Sequence, residues 1–275
     1  MTQKFIIFLL LVLVFSLGCA KEPVQDQLLR DMGQLDRLYV PLFVFTNLHK
    51  QRESELAFER FNKQWAGFYA KYHGLVLTYG ENITDKYWPE DLETINKSIG
   101  SIESFVAQGW LTDANRQLRQ IRLVFMDLRR RNSLDYYLDS LITFQDAMDE
   151  VLVFLRGKNR LSDRDLDQLR EVFRIAQGSL IEAENVEFDF GPFGFDEEKK
   201  EAIRKRIREE QKLLAGLAAA LSSANIDKIF QSSLELKPNF MVLYKAFGDF
   251  QPIFDQIIKE REGNKDEAGD EDGSK

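Results

Sequence analysis

The residues that could do chemistry in this 275-residue chain are few: two histidines, His49 and His73, and one cysteine, Cys19. A structural or catalytic zinc site takes three or four protein ligands. A single histidine beside Glu53 or Glu55 would hold a metal only loosely. If the first two helices are antiparallel with a turn near residues 51–54, the two imidazoles lie at opposite ends of the pair, too far apart for one ion. The Glu-x-x-His pattern of di-iron bundles is absent from the chain, and so is the Cys-x-x-Cys-His run that attaches haem. Met32, Met126, Met148 and Met241 could ligate haem, but all fall where a helical core would place them anyway. No Ser or Thr sits in a nucleophile elbow. The expectation is no catalytic residue, no metal and no cofactor.

Charged side chains are plentiful and read as solvated helix faces. Glu53/Glu55, Glu182/Glu184 and Glu209/Glu210 mostly have a Lys or Arg three or four positions away, as an exposed helix surface requires. Lys199-Lys200 with Arg204-Lys205-Arg206 reads the same way. So does Arg129-Arg130-Arg131, whose alternative role is contact with anionic lipid. The formal net charge of −8 argues against a nucleic-acid partner, whose phosphates need a basic face.

The setting of Cys19 is more specific. Lys4 supplies a positive start, Phe5 to Leu17 carry no charge, and Ser16-Leu17-Gly18-Cys19 closes the segment. This resembles the lipobox of bacterial lipoproteins, with Ser16 where leucine is usual. A span of the bilayer takes about 20 apolar residues, more than Phe5–Leu17 offers. An ordinary cleaved signal would need no cysteine at the cut. The resemblance implies a signal peptide over 1–18, acyl chains such as palmitate on Cys19 as the membrane contact, and a tether over 19–25. Ala20, in place of the aspartate that retains lipoproteins at the inner membrane, implies an outer-membrane address facing the periplasm in a two-membrane host.

The elements that must position any site are helices. Apolar residues recur in steps of three and four from Val24 to about Glu262. Leu28, Met32, Leu35, Tyr39 and Leu42 form the first stripe, and Phe58, Phe61, Trp65, Phe68 and Tyr72 the second. Six more follow, the last running from Ile229 to Phe247. The prediction is all-α, with short connections that force antiparallel, up-and-down packing. Two four-helix bundles in tandem follow, over residues 26–132 and 133–262, with a disordered acidic tail over 263–275. The halves resemble cofactor-free versions of the cytochrome c′ and b562 bundles. Ala114-Asn115 and Ala224-Asn225, each followed by Phe-Met, hint at duplication. Helix starts are expected at Thr112 or Asp113 and at Ser162, with Asp165 completing a capping box. Pro41 and Pro238 should each kink or restart a helix.

One segment resists helix formation: Phe188-Asp189-Phe190-Gly191-Pro192-Phe193-Gly194-Phe195. Its four rings either cap the hydrophobic end of a bundle or form an exposed loop for a partner. Phe188, Phe190, Phe193 and Phe195 are therefore the candidate binding residues beside the lipid site Cys19. The expected function is a membrane-anchored, non-enzymatic scaffold or interaction module with an envelope protein partner. The alternative is a periplasmic bundle that holds a small ligand or cofactor.

Overall fold

The computed structural model describes residues 24–75, 85–185 and 191–270. Nine α-helices and no strand occur among them: α1 Val24–Asn47, α2 Gln51–Tyr72, α3 Trp88–Ala107, α4 Leu111–Arg131, α5 Tyr137–Leu155, α6 Asp163–Asn185, α7 Glu197–Ser222, α8 Ile226–Lys245 and α9 Gln251–Asp270. A 3₁₀ turn, Gly191–Phe193, precedes α7.

Helices α1 to α4 close into a ring, each packed on its neighbour and α4 back on α1. Helices α5 to α8 repeat the arrangement. These are two up-and-down four-helix bundles, as the stripes predict. The stripe residues fill the cores: Trp65 is 2% exposed, Phe125 7% and Phe240 0%. Trp65 stacks with Phe68 and meets Phe125 edge-on, with centroids 5.9 and 6.0 Å apart. Each such ring, truncated to alanine, typically costs about 3–5 kcal/mol.

Local signals set the ends. Ser162 and Asp165 form the reciprocal box, each side chain accepting the other's backbone N–H at 3.0 and 3.2 Å. Asp196 caps α7 through Lys199 N at 2.8 Å, and Asn225 caps α8 through Lys228 N at 3.0 Å. The start of α4 differs from expectation: Trp110 is its N-cap, and Asp113 pairs instead with Arg116 at 2.8 Å. Burial of Leu111, 3% exposed, draws the helix back past the polar residues. The duplication hint also parts in detail. Asn225 caps a helix, whereas Asn115 is buried inside α4 and donates to Phe43 O at 2.9 Å and to Thr46 Oγ1 at 3.0 Å.

The bundles are joined along α1. Helices α1 and α8 run through Pro41 and Pro238 without a break. Proline has no N–H to give the carbonyl four residues back, so Pro41 leaves Arg37 O free. Asp249 N, in the turn between α8 and α9, donates to that carbonyl at 2.8 Å. A residue expected to deform the helix therefore supplies an acceptor that docks the second bundle. Gly248 permits the approach, because a Cβ there would stand 3.0 Å from both Pro41 Cδ and Val40 Cγ1.

Helix α9 was not foreseen as a separate element. Residues 251–262, grouped by sequence with the second bundle, pack on α2 of the first. Phe45 meets Phe250 and Phe254 edge-on at 5.5 and 5.9 Å, and Arg52 pairs with Glu260. The helix continues to Asp270, into the segment expected to lack order. Residues 271–275 lie outside the described residues.

Candidate functional site

Helix α4 places Arg122 and Arg129 seven residues apart, two turns along one face. That face meets the second bundle. Arg129, 3% exposed, donates from Nε to Asp139 Oδ2 at 2.7 Å and from a terminal nitrogen to the other carboxylate oxygen. Its guanidinium lies 4.3 Å from the centroid of the Tyr136 ring. Tyr136 in turn donates from its hydroxyl to Asp36 Oδ2 on α1 at 2.6 Å. Arg122, 5% exposed, donates to Gln145 Oε1 at 2.9 Å and Asp146 Oδ1 at 3.2 Å on α5. Two guanidiniums of the first bundle are thus clasped by carboxylates of the second.

Burial sets the electrostatics of this seam. Desolvation pushes the Asp36 carboxyl up to about 6, against the opposing pull of Arg129 and the Tyr136 hydrogen bond. Desolvation likewise holds the Tyr136 phenol well above its usual value, so it remains a donor. Desolvation alone would lower the Arg129 pKa, but the Asp139 charge and hydrogen bonds outweigh it and the guanidinium stays protonated. A paired buried charge of this kind contributes modest net stability, while removing one partner leaves the other stranded and is costly. The arrangement fixes the register of two bundles.

These residues correct the sequence reading. Arg129-Arg130-Arg131 was expected to be one solvated run. Arg129 is internal, and Arg131 bridges Asp85 at 2.7 Å and Asp91. Arg130 alone is freely solvated and pairs locally with Asp127 at 2.7 Å. Glu210, expected to share an exposed face with Glu209, is 0% exposed. One of its oxygens accepts from Asn239 Nδ2, and the other, Oε1, has no hydrogen-bond partner. Burial pushes this carboxyl up to about 7. Adjacent positions on a helix differ by about 100°, so one of two neighbouring glutamates can enter a core while the other faces water.

The aromatic loop divides. Phe188 and Phe190 lie outside the described residues, as does Cys19. Phe193 and Phe195 are 2% and 8% exposed, which takes them out of any surface offered to a partner. Phe193 packs on Tyr136, Phe195 and Phe247 with centroids 5.2 to 5.4 Å apart. The turn also presses against α1: a Cβ on Gly33 would stand 2.1 Å from Pro192 O. Residues 191–195 are thus wedged where both bundles meet, and Gly33 admits them.

The histidines stand apart. His49 is exposed in the α1–α2 turn with a positive φ of 53°, not on the core stripe. His73 follows α2 at its other end, its ring 4.6 Å from that of Tyr69. Among the described residues no cluster of three His, Cys, Asp or Glu could hold a metal ion, and no helix is long and apolar enough to cross a membrane. The fold defines the chain as a double four-helix bundle. Comparison with protein-family models, curated proteins and solved structures finds no match in any of the three.

Proposed function

We propose that this protein is a lipid-anchored component of a bacterial envelope, held by acyl chains on Cys19, which acts as a non-enzymatic scaffold for another envelope protein. The observation that carries the reading is the use to which the buried charges are put. Arg122, Arg129, Asp139 and Asp146 pair across the joint between the bundles, with Asp36 and Tyr136 beside them. These groups hold two bundles in one relative orientation, which suits a rigid spacer. The lipobox-like Ser16-Leu17-Gly18-Cys19 supplies the anchor. Val24, the first described residue of α1, is five residues beyond Cys19, so the body would stand within about 18 Å of the bilayer at full extension. Each buried acyl CH₂ contributes about 0.8 kcal/mol, and two or more chains make attachment stable.

Cys19→Ser tests the anchor in the native host. The variant is expected to leave the membrane fraction or to accumulate with its leader attached. A variant that migrates and fractionates like the parent refutes the lipid assignment.

A further inference from the structure

Between α4 and α5, on the outer side of the Arg129–Asp139 pair, a cleft of about 510 Å³ opens to solvent. That is a size typical of ligand clefts. Leu123, Met126, Leu134 and the Tyr136 ring supply the apolar part of its floor, and the rest of the lining is polar. Leu123 is 41% exposed. Among the described residues, four carboxylates, of Asp127, Asp135, Asp139 and Glu182, line the cleft against a single guanidinium, Arg130. Arg130 is already paired with Asp127, and Asp139 with Arg129. Among the described residues Asp135 and Glu182 have no basic partner.

We propose that this cleft docks a basic amphipathic segment of a partner protein. The inference rests on the scaffold reading and names where the scaffold binds. Lysine and arginine side chains match both features of the cleft, since their aliphatic stems can lie along apolar surface while the charged heads stay at a wet rim. Here the stems would cover Leu123 and Met126, and the heads would reach Asp135 and Glu182. An acidic or neutral apolar segment would leave those two carboxylates uncompensated or repelled. The floor is also rigid. Tyr136 is fixed by its 2.6 Å hydrogen bond to Asp36 and by the Arg129 guanidinium above its ring. A preformed surface of this kind spends little of its binding energy on ordering itself. Asp36 lies twelve residues into α1, about 18 Å along the helix from Val24. The cleft would therefore face a partner close to the membrane.

The test uses the full chain and a fluorescein-labelled amphipathic peptide of leucine and lysine at helical spacing, followed by fluorescence anisotropy. The peptide is expected to bind, and the Asp135→Asn/Glu182→Gln double variant is expected to weaken binding about tenfold. Leu123→Ser should weaken it as well. All three changes are at exposed positions, so the melting temperature should hold. A control pair, Glu59→Gln/Glu103→Gln on α2 and α3, should leave binding unchanged. Equal losses from the control pair would show diffuse attraction to an acidic protein and overturn the cleft. Equal binding of a leucine–glutamate peptide would overturn the charge argument, and full competition by spermidine would point to a small polycation instead of a protein segment. Because binding is read in solution, its failure alongside release of Cys19→Ser from membranes would reject the cleft and leave the anchor standing.

Discussion

Glu210→Gln is expected to stabilise the protein at neutral and alkaline pH and to have little effect in acid. The carboxyl is wholly enclosed, and burial pushes it up to about 7 from an ordinary 4.5. Below pH 4.5 the glutamate is protonated in both folded and unfolded chains, and burial costs nothing extra. As pH rises from 4.5 to 7 the unfolded chain ionises first, so folding weakens by about 1.4 kcal/mol per pH unit. Above 7 both forms are ionised and the loss levels off. A gap of roughly 2.5 pH units corresponds to about 3 kcal/mol, which in a domain of this size is roughly 6–12 °C of melting temperature. Glutamine is nearly isosteric and neutral, and Asn239 can turn its amide to offer either donor or acceptor. The assay is urea and thermal unfolding by circular dichroism from pH 4 to 8.5, comparing parent and variant. Asp36 titrates in the same range, but it is in another helix and cancels in the difference. The expected difference is near zero at pH 4 and reaches its plateau above pH 7. A difference independent of pH, or a parent more stable than the variant at pH 8, would refute the argument that this carboxyl is buried without a compensating charge.

Other outcomes follow from the joint between the bundles. Arg129→Met leaves the partly enclosed Asp139 without its cation and should cost about 2–3 kcal/mol by urea titration, whereas Arg116→Ala, removing a largely exposed pair, should cost under about 1 kcal/mol. Gly33→Ala drives a methyl into Pro192 O and should lower the melting temperature sharply, while Gly100→Ala, with nothing within 4 Å, should raise stability by about 0.5–1 kcal/mol. Ser162→Ala removes one half of the α6 capping box and is expected to cost about 1 kcal/mol in the same titration.

Helix periodicity, core stripes and most caps are legible in the sequence because each is local. Leu92, Ile95, Ile99 and Ile102 must share one face of α3 whatever surrounds it, and all four are buried. Ser162 and Asp165 need only one turn of chain to satisfy each other. The candidate site was legible only in part. The Phe-rich loop drew notice by composition, yet composition alone left open whether its rings faced inward or outward, and Phe193 and Phe195 face inward. The cleft left no motif, because its walls come from α4, α5, α6 and the segment that joins the first two.

By itself the sequence determined that the chain is all-helical, that it makes two bundles, and that an uncharged segment closing on Cys19 precedes them. Tertiary structure decided which polar residues of those helices are internal. Arg129 and Glu210 each stand beside one residue of like charge, Arg130 and Glu209, which remains in solvent. The choice depends on where the second bundle and the opposing helix lie, and that depends on contacts between residues far apart in the chain. Tyr136 meets Asp36 a hundred positions away, and Asp249 reaches the carbonyl that Pro41 frees. Pro41, which sequence alone marks as a break, and Gly33, which it does not mark at all, become docking points only when a second surface arrives to use the acceptor or the space they leave.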